Sequence, residues 1–305
     1  MFVADAHSDT LYSIAIEGKR PMDCAVRADR LKEGSVGLQT FALFAGSAGP
    51  SGQPYENGVR MLRAMDQLQV HMLLEDLPTD PPTEPSGVIS IEGGEMLQGS
   101  IERLHAFDQM ARVRMIALTW NHENEIAYPA MGGTKHALKP FGRELLREMD
   151  RLGILVDTSH LNEAGFFDAA ERTALPIIAS HSNSRRLCDV PRNLTREQVR
   201  CIIEKQGFIG INFYSAFLRA DGKATLDDVL RHVDQICEWG GEHVLGFGSD
   251  FDGIESWPEG LGDPSRFPAL IELLRNHGYT QQQLESIAGM NLWRVLNTAR
   301  AARSK

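Results

Sequence analysis

The chain alternates short apolar runs with longer amphipathic segments, and this alternation repeats eight times. Short aliphatic runs are typical of buried strands, whereas apolar residues three or four positions apart are typical of helices. The clearest example lies in residues 153–182, where runs at 154–156 and 177–179 flank a helical pattern that Asn162 caps and Pro176 stops. This stretch predicts a strand-helix-strand crossover, in which the two strands are parallel.

The other predicted strands cover residues 2–4, 36–45, 88–91, 113–119, 208–214 and 244–247. The other predicted helices cover residues 11–17, 56–74, 97–107, 140–152, 195–205 and 226–239, with three more beginning near Pro264, Thr280 and Asn291. Eight alternations without a second compositional regime predict an α/β fold with one (β/α)8 TIM barrel over residues 1–305, because a barrel closes parallel strands without leaving an edge. A doubly wound sheet is the alternative.

Composition and charge narrow the range of partners. The 305 residues carry a formal net charge of −10 and no basic tract, which argues against a nucleic-acid or anionic-membrane partner. The chain shows neither a signal peptide nor an apolar run near the roughly 20 residues of a membrane span, so we expect a soluble, cytoplasmic protein. Its four cysteines are scattered without a C-x-x-C pair, so any metal must be held by histidines and carboxylates.

Histidines and acids follow the predicted strands at their carboxyl ends, where barrel enzymes place their chemistry. The candidates are His7, Asp9, Glu92, His160, His181 and Asp250. Imidazoles and carboxylates without thiolates suit zinc or a similar divalent ion. Because there are more ligands than one tetrahedral ion needs, they indicate two ions that share a carboxylate, an arrangement used for hydrolysis. Glu92 is the natural candidate for the carboxylate that bridges the two ions.

Each of these residues also has a purely structural interpretation. Asp9 could cap the helix that begins near Leu11, Glu92 could belong to a solvated turn, and a single histidine at a strand end is more often hydrogen-bonded than metal-bound. The six remaining histidines are predicted to be structural or exposed: His71, His105, His136, His232, His243 and His277. The joint pattern at one barrel mouth is what favours a metal site.

Five segments resemble signatures of the membrane (renal-type) dipeptidase family, zinc peptidases that also occur as soluble bacterial enzymes. They are DAHSDT, SIEGGE, LKPFGRELLREMDRLGILVDTSH, ASHSNSRRL and GFGSDFDGI, and together they span nearly the whole chain. The third and fifth are long and specific, whereas an H-x-D pair alone is a weak signal. The resemblance implies a (β/α)8 barrel with two zinc ions per chain that cleaves dipeptides and is usually a homodimer.

The resemblance also implies roles for individual residues. His7 and Asp9 match the ligands of one zinc, Glu92 matches the bridging carboxylate, and His160 and His181 match the ligands of the other zinc.

Two further matches concern the substrate and the proton. Asp250 matches a catalytic carboxylate beside the bridging water, with a role in proton transfer to the leaving amine. Arg192 falls where the family has an arginine that binds the terminal carboxylate of the dipeptide, a role that suits a bidentate guanidinium. A surface salt bridge is the alternative for Arg192.

The chain departs from the family at the end of the fourth predicted strand. Mammalian members have a substrate-binding histidine directly after Leu-Thr, whereas this chain has Trp120 there. An indole cannot accept a hydrogen bond as a neutral imidazole can. Trp120 and His122 are therefore the candidate substrate contacts in this region, and His122 requires a loop that turns inward.

The leading prediction is thus a two-zinc dipeptidase that tolerates a D-residue at the C-terminal position of its substrate. A related barrel hydrolase acting on N-acyl amino acids, esters or lactones is the alternative. Such relatives typically carry H-x-H on the first strand and often a metal-bridging lysine on the fourth, and this chain has neither. A non-catalytic binding protein is a third interpretation, against which the full set of ligands argues.

Overall fold

A closed ring of eight parallel strands forms the centre of the fold. The structure is a computed structural model that describes residues 1–44, 46 and 53–303. Its strands are β1 (Val3–Asp5), β2 (Val36–Phe44), β3 (His71–Met72), β4 (Ser86–Glu92), β5 (Met115–Ala117), β6 (Leu155–Asp157), β7 (Ile177–Ala179), β8 (Phe208–Ile211) and β9 (Leu245–Phe247). The ring runs β1, β2, β4, β5, β6, β7, β8, β9 and back to β1, while β3 pairs only with the start of β4. This closure confirms the predicted (β/α)8 barrel and excludes a doubly wound sheet.

Helices surround the ring. They are α1 (Thr10–Ala15), α2 (Ala28–Glu33), α3 (Pro54–Arg63), α4 (Ile101–Ala111), α5 (Pro140–Leu152), α6 (Glu163–Arg172), α7 (Arg196–Glu204), α8 (Ser215–Leu218), α9 (Leu226–Glu238), α10 (Phe267–His277), α11 (Gln281–Glu285) and α12 (Asn291–Ala302). The side chains of Asn162, Thr195 and Thr280 each accept a backbone N–H at the start of the helix they precede, which confirms the cap predicted at Asn162. Within the described ranges, every helix is too short or too polar to cross a lipid bilayer.

The predicted helix over residues 56–74 is wrong in its second half. α3 ends at Arg63, a short 3-10 turn covers Met65–Leu68, and Gln69 takes a left-handed backbone conformation with φ 55°. His71–Met72 then pairs with β4. The apolar spacing of residues 56–74 fits a helix throughout, so the switch to a strand at residues 71–72 follows from their pairing with β4 and not from the local sequence. Ala45, the predicted end of the second strand, and most of the Gly/Pro/Ser loop after it lie outside the described residues.

The strands of the ring are buried on both faces, as expected for parallel strands enclosed by helices. Side chains such as Phe41, Ile89 and Val156 are fully buried in a core that the surrounding helices share. This packing makes the barrel a rigid support for the segments that follow each strand at its carboxyl end.

Candidate metal centre and substrate cavity

The six predicted histidines and acids meet at the carboxyl mouth of the barrel. Glu92 is the last residue of β4, and the other five follow β1, β6, β7 and β9. All six are buried, with exposed fractions between 0% for His181 and 9% for Asp250. A solvated turn at Glu92, the structural alternative, is therefore excluded.

Glu92 lies at the centre of this group. Its Oε1 is 2.9 Å from Nε2 of His160 and 3.6 Å from Nε2 of His181. Its Oε2 is 3.2 Å from Nε2 of His7. The two oxygens of one carboxylate thus face different histidines, which is the geometry required of a residue that joins two cation sites.

The His7 side of the group contains two more carboxylates. Oδ2 of Asp9 lies 3.6 Å and Oδ1 of Asp250 lies 3.9 Å from Nε2 of His7. Asp9 occupies the N-cap position of α1, yet its side chain makes no capping hydrogen bond. Among the described residues, Nε2 of His7 and Oδ1 of Asp9 are buried without hydrogen-bond partners. Unpartnered buried polar atoms are costly, and here they fit a bound cation that would accept their lone pairs.

The second nitrogens of two histidines are held by outer partners that the sequence did not reveal. Nδ1 of His160 lies 3.0 Å from Oδ1 of Asn121. Nδ1 of His181 lies 2.7 Å from Oγ of Ser180, whose hydroxyl donates to Asp157. Since these partners act as acceptors, each Nδ1 carries the proton and each Nε2 keeps its lone pair.

The Nε2 atoms of His160 and His181 are only 3.0 Å apart, so one cation could be bound by both. Second partners of this kind orient metal-binding histidines in proteins. Each of the runs at 154–156 and 177–179 is followed by a Ser-His pair, and this repeated pair was the sequence signal that could have indicated a role for Ser180. No comparable local pattern marks Asp157 or Asn121.

Burial and charge set the protonation of the site. Burial, followed by the charge of Arg192, lowers the pKa of His160 to about 4, and burial with nearby His7 and Arg192 lowers that of His181. Both imidazoles are neutral at pH 7, the form that binds metal. Burial also lowers the pKa of His7, but Glu92 and Asp9 outweigh it and the pKa lies well above its ordinary value. A cation between these groups would replace that proton.

Asp250 is held by an amide that sequence reasoning missed. Nδ2 of Asn212, directly after β8, donates to Oδ2 of Asp250 over 2.8 Å, which leaves Oδ1 facing His7. Burial raises the pKa of Asp250 above that of an ordinary aspartate. Asp250 and His160 both have left-handed backbones, with φ 66° and 67°. Such conformations disfavour residues with a Cβ and cluster at functional sites.

A cavity of about 320 Å³ opens from this group to the surface. Its lining residues are Asp9, Tyr12, Glu17, Phe44, Glu92, Trp120, Asn121, His160, Arg192, Tyr214, Phe217, Asp250, Asp252, Gly253, Ile254 and Glu255. Trp120 lies on this wall, as does Asn121. His122 is exposed and is not among the lining residues, so the loop does not turn it inward.

Arg192 lines the cavity and is only 4% exposed. Its Nη1 and Nη2 donate weakly to Oγ of Ser182 at 3.4 Å and to the carbonyl of His181 at 3.3 Å, and its Nε has no partner among the residues that the structure describes. Within the described part of the chain it forms no salt bridge, which excludes the surface ion pair considered above. A buried guanidinium without a carboxylate partner fits an anionic ligand group.

Taken with the barrel, this set of histidines and carboxylates defines a metal-dependent hydrolase. Comparison with known proteins specifies the family. The sequence profile described as "Membrane dipeptidase (Peptidase family M19)" matches residues 1–305. The chain belongs to this family and is a metal-dependent dipeptidase.

Individual relatives agree with this assignment. An uncharacterized protein in the pqqA 5′ region of Klebsiella pneumoniae is 39% identical over 68% of this chain and 80% of that protein. The crystal structure of dipeptidase AC, a metallo peptidase of family M19, matches with a TM-score of 0.88 at 27% identity over 98% of both chains. A metallo peptidase from Rhodobacter sphaeroides, liganded with a phosphinate mimic of L-Ala-D-Ala, matches with a TM-score of 0.85 at 26% identity over 98% of this chain and 99% of that one.

Proposed function

We propose that residues 1–305 form one dipeptidase domain that binds two zinc ions, with His7 and Asp9 at one ion, His160 and His181 at the other, and Glu92 between them. The observation that carries this proposal is the placement of Glu92, whose Oε2 is 3.2 Å from His7 and whose Oε1 is 2.9 Å from His160. When bound, a pair of zinc ions supplies Lewis-acid activation of water and of the scissile carbonyl.

Asp250 performs the proton transfer in this proposal. Its free Oδ1 faces the centre of the group while Asn212 fixes Oδ2, so the carboxylate is oriented before substrate binds. The raised pKa favours a carboxylate that accepts a proton from the attacking water and returns it to the leaving amine.

Arg192 binds the terminal carboxylate of the substrate. The guanidinium is buried, its two Nη donors make only long hydrogen bonds, and its Nε is left available for an incoming anion. A tripeptide would place an amide there and leave the buried charge unpaired, a loss of about 2 kcal/mol or more. The cavity, at about 320 Å³, is also at the lower end of the usual range of ligand sites.

A D-residue is tolerated at the C-terminal position, because a clamp on the carboxylate depends on the position of the charge more than on side-chain handedness. The ligand described for the Rhodobacter sphaeroides relative, a mimic of L-Ala-D-Ala, supports this part of the proposal.

Two measurements test the proposed function. Elemental analysis of the purified protein should give about two zinc ions per chain. Kinetics should show cleavage of L-Ala-L-Ala and L-Ala-D-Ala but slow cleavage of tri-alanine. Absence of bound metal after reconstitution would refute the zinc centre, equal rates on tri-alanine would refute the Arg192 clamp, and complete rejection of L-Ala-D-Ala would refute the tolerance.

A further inference from the structure

Three aromatic rings form a continuous surface along one side of the cavity. The ring centroids of Tyr12 and Phe44 are 4.9 Å apart, as are those of Phe44 and Trp120. All three are only partly buried, and all three line the cavity. We call Tyr12, Phe44 and Trp120 the aromatic wall. Its members come from α1, β2 and the segment after β5, so the wall exists only because the barrel brings these elements together.

Phe44, the middle ring of the wall, lies across the barrel from Arg192. Phe44 is the last residue of β2, and Arg192 contacts His181 and Ser182, which follow β7. In the closed ring, β2 and β7 are four strands apart in either direction, which places them on opposite sides of the mouth. The group around Glu92 lies between them.

We infer that the aromatic wall binds the side chain of the N-terminal residue of the dipeptide and that the enzyme prefers a bulky apolar or aromatic residue there. This inference rests on the proposed function. With the substrate carboxylate at Arg192 and the scissile carbonyl at the central group, the N-terminal residue extends toward the wall. Partly exposed ring faces of Phe44 and Trp120 gain most from a flat or bulky apolar partner.

Three dipeptides test the inference on the wild-type enzyme: L-Phe-L-Ala, L-Ala-L-Phe and L-Ala-L-Ala. Because a well-matched apolar pocket discriminates by 10-fold or more, kcat/KM for L-Phe-L-Ala should exceed that for L-Ala-L-Ala by about 10-fold, with L-Ala-L-Phe close to L-Ala-L-Ala. The same order of affinity is expected in calorimetric binding to the Asp250→Asn variant, which separates binding from turnover.

Substitutions locate the effect. Trp120→Ala should reduce the preference for L-Phe-L-Ala over L-Ala-L-Ala to about twofold or less, a loss in the range expected for one ring contact. The matched control is Trp257→Ala, since Trp257 is 48% exposed and does not line the cavity. Phe44→Leu removes a ring while keeping an apolar side chain. If Trp120→Ala loses metal, the preference of Phe44→Leu for L-Phe-L-Ala over L-Ala-L-Ala tests the inference instead.

The outcomes separate the two proposals. Failure to cleave any of the three dipeptides would refute the proposed function. Cleavage with L-Ala-L-Ala or L-Ala-L-Phe at least as good as L-Phe-L-Ala would overturn the aromatic-wall inference and leave the dipeptidase proposal intact. A full preference retained by both metal-loaded wall variants would overturn it as well.

Discussion

Gly253 approaches Asp9 so closely that a Cβ at position 253 would lie 1.9 Å from Oδ2 of the Asp9 carboxylate. The same atom would lie 3.0 Å from Oδ1 of Asp250. The turn after β9 is therefore packed directly against the carboxylate that follows β1. The Asp9 carboxylate can keep this position only because residue 253 is a glycine.

Gly253→Ala should consequently displace the Asp9 carboxylate. We expect metal affinity at the His7 side to fall by about 10-fold to 100-fold, the range for changes that disturb ligand orientation. Competition with a chromophoric chelator measures this. Gly132→Ala is the matched control, because the nearest atom to its Cβ would be 3.4 Å away. Equal affinities in the two variants would contradict the prediction.

Glu92→Gln should reduce binding at both ions, because the Glu92 oxygens face His7 on one side and His160 on the other. His181→Ala should mainly empty one site and leave about one ion per chain. Elemental analysis under identical reconstitution compares the two. Loss of both ions from His181→Ala with retention of both in Glu92→Gln would reverse the assignment.

Asp250→Asn should leave the metal content nearly unchanged and lower kcat by at least about 100-fold, as expected when a positioned acid-base group is lost. Asn212→Ala should produce a smaller loss, because it frees the Asp250 carboxylate without removing it. Steady-state kinetics with parallel metal analysis distinguishes these effects. Wild-type turnover in Asp250→Asn would exclude Asp250 from proton transfer.

Asn121→Ala should weaken metal binding by about 10-fold or more through His160, which loses the acceptor that fixes its Nδ1 proton. Asn297→Ala is a suitable control, since the Asn297 amide lies far from the site in sequence and donates within α12, to the carbonyl of Trp293. Chelator competition again gives the comparison. Unchanged affinity in Asn121→Ala would show that His160 is oriented by other contacts.

His232 should make stability depend on pH. It is 1% exposed, its Nδ1 accepts from the N–H of Ser184 and its Nε2 donates to the carbonyl of Leu218, so the folded protein requires one neutral tautomer. Burial lowers the pKa of His232. The unfolded chain therefore binds a proton first as pH falls below about 6.5, and stability decreases below that pH by up to about 1.4 kcal/mol per unit for this group.

The variant His232→Gln should show a shallower loss of unfolding free energy between about pH 6.5 and pH 5 than the wild type. Exposed His136→Gln provides the control and should retain the wild-type slope. Denaturant unfolding at several pH values makes the comparison. Identical slopes for all three proteins would remove His232 as a source of the pH dependence.

Local patterns in the sequence determined several helix boundaries, a helix cap and the residues that gather at the barrel mouth. The boundaries of α5 agree with the predicted helix over residues 140–152, and the cap at Asn162 forms as predicted. These features depend on residues within a few positions of one another. The meeting of the six histidines and acids was also predictable, because parallel strands present all their carboxyl ends at one mouth.

Only the tertiary structure decided which neighbouring residues face the cavity. Asn121 turns toward His160 while His122 points to solvent, and Asn212 reaches Asp250 from a different strand. Likewise, residues 71–72 became a strand because β4 offered an unpaired edge. Each outcome depends on contacts between segments about 15 to 40 residues apart in the chain, and local periodicity carries no information about such contacts.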